Sequence, residues 1–116
     1  MNTGMDIVED RIGSVVVVRV KSSRIDAAAA PAFRLALAPF VKRGLPHFVL
    51  DLSAVGFIDS TGLGALVSSL KAGTTPAGVA IAGAKDSVAA LFKLTRMDKV
   101  FRLFPSDSAA ASALAG

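Results

Sequence analysis

The sequence predicts an α/β fold, a mixed sheet of about four to five strands covered by about four helices. Two β-branched runs near the start lie close enough to pair as a hairpin. After them, short apolar runs alternate with segments patterned at helical spacing. The length, 116 residues, allows one core and is too short for two ordinary ones. Together these give the order β-β-α-β-α-β-α-β-α in one domain spanning residues 1–116. Residues 1–4 are expected to be flexible, and residues 106–116 to form a short C-terminal helix.

The first two strands are predicted over residues 5–9 and 14–21, with Arg11, Ile12 and Gly13 as the turn. The second holds Val15, Val16, Val17, Val18 and Val20. Four consecutive valines leave no polar face, so this strand is expected to be covered on both sides. A helix is predicted over residues 27–43. Phe33, Leu37, Phe40 and Val41 recur at helical spacing, and Pro31 suits the first turn. Pro39 removes a backbone donor and crowds the preceding turn, which predicts a kink or an early break. Gly44 is the expected C-terminal cap and Pro46 enforces the exit.

Residues 48–52 form the next apolar strand, and a helix follows from residue 61 to 71 with Leu63, Leu66, Val67 and Leu70 on one face. Residues 72–77 are a Gly/Thr/Pro loop, and 78–82 a strand of small residues. Asp86 or Ser87 can cap a third helix carrying Val88, Leu91, Phe92 and Thr95. Residues 100–104 alternate, with Phe101 and Leu103 opposite Arg102, a short strand. The Ala-rich tail after Pro105 is expected to be a short helix that frays.

The most informative stretch is residues 51–67, DLSAVGFIDSTGLGALV. It enters as a strand, turns one corner and leaves as a helix. The corner, Asp59-Ser60-Thr61-Gly62, puts a carboxylate and two hydroxyls at a helix N-terminus. Such a terminus has unpaired N–H groups and the positive end of the helix dipole, and it can accommodate a phosphate. Asp59 and Ser60 both qualify as the cap; if Asp59 takes that role, Ser60 is free to react. Gly62 and Gly64 each weaken the helix by up to about 1 kcal/mol relative to Ala. Their presence predicts close approach of a neighbouring backbone or of a partner.

This stretch resembles the signature of the STAS domain family, typified by bacterial anti-sigma factor antagonists. Asp51, Phe57, Asp59, Ser60, Thr61, Gly62, Leu63 and Gly64 match the pattern in order. Ile25-Asp26 is similar to the Leu-Asp that follows the second strand in many members, and LFKLTRMDKVFRLF to the third helix and its strand. The resemblance implies that Ser60 is the phosphoacceptor, with Thr61 a secondary candidate. It implies a partner that is both anti-sigma factor and serine kinase, of the histidine-kinase-like ATPase type. The unphosphorylated form would bind that partner and release a sigma factor, and a PP2C-type phosphatase would restore the hydroxyl. The implied partner-binding residues are Asp26, Asp59, Ser60, Thr61, Gly62, Leu63 and Gly64. Asp26 reads equally well as a helix cap. The chain departs from the family's usual pattern at Ser22-Ser23-Arg24, where a Gly and an acidic residue are common. It departs again at Arg96, where a small residue is common, and in its net charge of +4.

Other STAS roles remain open on these residues: a non-switching subunit of a lipid-transport ABC complex, or a scaffold of a stress-signalling assembly. Autonomous catalysis is not expected. Ser60 has no G-x-S-x-G elbow, no G-x-x-x-x-G-K-S/T loop is present, and the only histidine, His47, reads as an ordinary surface or core residue. The chain has no cysteine, so thiolate metal sites and disulfides are excluded; the resemblance implies that it binds no cofactor of its own, and no metal is expected. The basic residues are scattered apart from Lys93, Arg96, Lys99 and Arg102, which argues against direct nucleic-acid binding. No run of about 18 apolar residues occurs and no basic-then-apolar leader opens the chain. A cytoplasmic protein without membrane insertion is the expectation.

Overall fold

The computed structural model describes residues 6–73 and 78–115. The expectations for residues 1–4 and for the loop at 74–77 lie outside them. The strands are β1 (Ile7–Ile12), β2 (Val15–Val20), β3 (Arg24–Ile25), β4 (Phe48–Asp51), β5 (Phe57–Ile58), β6 (Val79–Ala82) and β7 (Arg102–Phe104). The helices are α1 (Ala30–Lys42), α2 (Ser60–Gly73), α3 (Asp86–Leu94) and α4 (Asp107–Ala115), with a 3₁₀ turn at Met97–Lys99. Five strands form one sheet in the order β1-β2-β4-β6-β7. Only β1 and β2 pair antiparallel; the other neighbours are parallel. This is the predicted mixed sheet.

Strand parity explains the two cores. Val16, Val18 and Val20 of β2, Phe48 and Leu50 of β4, and Val79 and Ile81 of β6 share one cluster. Phe33 and Leu37 of α1, Leu66 and Leu70 of α2, and Val88 and Phe92 of α3 complete it. The alternate residues Val15, Val17, Val49, Ala80 and Ala82 form the second cluster, closed by Ala110 and Ala111 of α4. β2 is therefore covered on both faces, as its valine run predicts. The small residues of β6 matter on the second face, because Ala80 and Ala82 let an alanine helix lie close to the sheet.

Several boundaries differ from expectation for identifiable reasons. The hairpin turn is Gly13-Ser14, because Ile12 pairs with Val15 and Gly13 takes a φ of +62°. That moves β1 later by two or three residues. α1 starts three residues late, because the Asp26 carboxylate and carbonyl hold Ala29 N–H and fold residues 27–29 into a turn. The break expected at Pro39 does not occur: α1 runs on to Lys42. Pro39 is exposed in the last turn, and Phe40 and Val41 beyond it pack on the core. α3 is preceded by Lys85 without a side-chain cap, and Ser87 Oγ donates instead to the carbonyl of Gly56 at 3.4 Å. The first turn of α4 is tied to the sheet by the pair of Asp107 with Arg19. The two-residue strands β3 and β5, which pair parallel outside the main sheet, were not expected.

Candidate functional site

Strands β3 and β5 set the corner. Arg24 pairs with Phe57 and Ile25 with Ile58, which brings the segment before α1 against the segment before α2. Asp59 then closes both. Its backbone carbonyl accepts the first helical bond from Leu63 N–H at 2.9 Å. Its Oδ1 accepts from Gly62 N–H at 2.7 Å, and its Oδ2 from Ala27 N–H at 3.1 Å. Asp59 is thus the N-cap of α2 and also a staple to the loop leading into α1. The two capping alternatives left open by sequence resolve in its favour.

Ser60 is the first residue of α2, exposed, and among the described residues its hydroxyl has no hydrogen-bond partner. Thr61 beside it is exposed as well. Asp26 is half-buried. Its Oδ1 holds Ala29 N–H at 3.0 Å and its Oδ2 pairs with Arg24 Nε at 3.1 Å. The bond from Ala29 and then the Arg24 guanidinium hold its carboxyl below the ordinary range. Arg24 also lies over the Phe57 ring, 4.6 Å from its centre. Asp26 therefore caps the turn that leads into α1, and its neighbour Ala27 is bonded to Asp59.

The two glycines separate. A Cβ on Gly62 would sit 1.9 Å from the carbonyl oxygen of Ile25, so the β3–α2 approach requires glycine there. A Cβ on Gly64 would meet nothing within 4 Å. Gly64 is exposed, while Gly62 and Leu63 are buried. Of the seven residues implied as partner-binding, Ser60, Thr61 and Gly64 are presented outward, Asp26 and Asp59 are half-buried, and Gly62 and Leu63 support them from below.

A groove of about 410 Å³ runs from this corner, lined by Ser60, Leu63, Gly64, Val67, Ser68, Lys71, Thr95 and Met97. Thr95, Met97 and Lys71 were not foreseen as part of the site. The motif stops at α2, and nothing in the local pattern of residues 95–97 shows that they form the opposite wall. A larger groove, about 570 Å³, lies between α1 and α2 and includes Arg34, Lys42 and Ser69. It contains no corner residue. His47 lies outside both grooves, with Nδ1 buried and unbonded among the described residues. No group of three or more His, Cys, Asp or Glu among the described residues is arranged to hold a metal. No helix among the described residues is long and apolar enough to cross a membrane.

The STAS domain model matches residues 6–110. Among solved structures, the chain is similar to an anti-sigma factor antagonist from Mycobacterium paratuberculosis, with 29% identity and a TM-score of 0.85 over 97% of this chain and 96% of that one. A putative anti-sigma factor antagonist from Thermotoga maritima is 22% identical with a TM-score of 0.77, over 95% of each chain. The Bacillus cell-fate determinant SpoIIAA in its phosphorylated form is 15% identical with a TM-score of 0.60, over 93% of this chain and 99% of that one.

Proposed function

This chain belongs to the STAS domain family, and on that premise we propose that it is an anti-sigma factor antagonist switched at Ser60. In its free-hydroxyl form it docks on an anti-sigma factor that is also a serine kinase, and the sigma factor is released. The observation that carries this reading is the division of labour at the corner. Asp59 makes the cap bonds, and Ser60 stands exposed with its hydroxyl uncommitted. The outward residues Ser60, Thr61 and Gly64 would touch the partner, and Asp26 and Asp59 would hold the loop that presents them. The relative at 29% identity is itself an anti-sigma factor antagonist, and a relative of the same fold is known in a phosphorylated form.

The chemistry needs little from this chain beyond presentation. Ser60 Oγ attacks the γ-phosphorus of ATP held by the kinase. The Oγ–P bond forms, the bond to the β,γ-bridging oxygen breaks, ADP leaves, and the hydroxyl proton passes to a base of the partner. A PP2C-type phosphatase reverses the state by hydrolysis, with water supplying the oxygen of the released phosphate. The phosphate adds roughly −1.5 to −2 charge where Asp59 is already negative. The added charge and bulk block docking. The helix N-terminus partly offsets the repulsion within the chain, so the fold need not change.

Incubation with the cognate kinase and ATP, followed by mass spectrometry, should give one phosphate on Ser60. Thr61→Ala should leave that gain intact. In pull-downs, Ser60→Ala should retain the partner and Ser60→Asp should lose it. Absence of a mass gain on Ser60, with the partner bound equally by both variants, rejects the switch.

A further inference from the structure

We infer that the groove between α2 and the end of α3 takes an acidic amphipathic helix of a partner protein, an inference that rests on Ser60 lying within the docking surface. Shape supplies the first reason. Leu63, Val67 and Met97 give the groove an apolar lining, and Gly64 leaves open space beside α2. Another backbone can therefore come close at that point. The α2 wall runs from Ser60 to Lys71, about 16 Å at the helical rise, which matches three turns of a docked helix.

Charge supplies the second reason. Lys71 lines the groove, and no carboxylate does. Residues 93–99, at the opposite wall, carry Lys93, Arg96 and Lys99 against the single carboxylate of Asp98. None of these four cations has an ion-pair partner among the described residues. Arg96 stands between the lining residues Thr95 and Met97, with φ +61° and ψ +19°, the left-handed region that side-chain-bearing residues rarely adopt. It is the only such non-glycine among the described residues. Glycine would relax that backbone; arginine keeps an exposed cation between two residues of the groove wall despite the strain. A strained residue at a groove points to function. Flanking glutamates or aspartates on a partner helix would meet Lys71 on one side and Arg96 on the other.

A nucleic acid is the other polyanion to weigh. The groove offers no aromatic side chain on which a base could stack, and its lining is aliphatic. An apolar helix face with acidic flanks fits both features. The same arrangement gives the switch a target, because a phosphate on Ser60 enters one end of a groove meant for carboxylates.

The test uses the full chain, uniformly ¹⁵N-labelled, and two synthetic amphipathic peptides with the same leucine face. One is flanked by glutamate and the other by lysine. The glutamate peptide should shift amides at Leu63, Gly64, Val67, Thr95 and Met97, and the lysine peptide should not. Its affinity should fall as salt rises. Lys71→Glu should weaken it about tenfold. Arg96→Gly should also weaken it and yet raise the melting temperature, a pair of effects that a merely structural arginine would not give. Equal binding of both peptides, shifts located elsewhere, unchanged affinity in Arg96→Gly, or tighter binding of a short DNA duplex at the same groove would each overturn the inference. Phosphorylation of Ser60 is read separately by mass, so loss of the groove inference and loss of the switch are distinguishable.

Discussion

Asp59 and Ser60 are neighbours with opposite relations to the fold, and single substitutions should show it. Asp59 bonds Gly62 N–H and Ala27 N–H through its two carboxylate oxygens. Asp59→Ala should cost about 1–2 kcal/mol, the range for a lost helix cap, and loosen the α1 loop as well. Ser60→Ala removes no bond among the described residues and should stay within about 0.5 kcal/mol of the parent. Chemical denaturation of the two variants checks the contrast, and equal losses would return Ser60 to a capping role. The glycines make a second pair. Gly62→Ala forces a carbon to 1.9 Å from the Ile25 carbonyl oxygen and should destabilise by about 3 kcal/mol. Gly64→Ala points into open space and should gain about 0.5–1 kcal/mol from helix propensity. The contiguous motif was legible in sequence because strand, corner and helix follow one another there. Which residue capped and which glycine was compelled was not, since both depend on Ile25 and Ala27, more than thirty residues upstream.

At the level of elements, α4 shows most clearly where sequence runs out. Its alanines predict a helix but give it little to hold with. What pins it is Arg19 of β2, whose guanidinium pairs with Asp107 at 2.5 Å, Asp51 at 2.7 Å and Asp10 at 3.1 Å. Asp51 and Asp107 lie 32 and 88 residues from Arg19 in the chain, and no local pattern joins them to it. Parity does: Arg19 and Asp51 are register partners on the face that carries Val15, Val17 and Val49. β3 and β5 have no signature in sequence for a related reason: two residues cannot display a period. Arg19 holds the Asp107 carboxyl below its ordinary range and is itself kept more firmly protonated. A carboxyl depressed on folding contributes stability above its unfolded pKa, about 3.9, and loses it as pH falls through the folded value. The α4 amides should therefore keep their protection, relative to the intrinsic exchange rate at each pH, from neutral pH down to about 4 and lose part of it below. Asp107→Asn should flatten part of that acid slope. Arg19→Met leaves Asp51, 7% exposed, without its cation and should cost about 2–3 kcal/mol. Hydrogen exchange across pH, read on Ala110 and Ala111, measures the first effect and thermal melting the second.

Across the whole molecule, the two faces of the sheet do different work. The bulky face carries α1, α2 and α3 over the larger core, and the corner and its groove lie on that side. The alanine face is closed by α4 and its ion-pair hub. The proposed switch at Ser60 therefore sits outside both cores. A phosphate there disturbs no buried side chain, and no described hydrogen bond depends on the hydroxyl it replaces. It meets repulsion from Asp59 and attraction from the start of α2, where a negative group gains about 0.3–1 kcal/mol. The net charge falls from +4 to about +2. These terms are small and of opposite sign, so the phosphorylated chain should melt within about 4 °C of the free form. Its backbone NMR shifts should change around Asp26, Asp59 to Gly64 and Thr95 to Met97, and stay put at Val17, Val49, Ala80 and Ala110. Steering of an acidic partner by the remaining positive field should make association slower at high salt for the free form, and more weakly salt-dependent once the phosphate is on. Shifts spread through both cores would mean that the switch works by refolding, and the surface account of Ser60 would have to be given up.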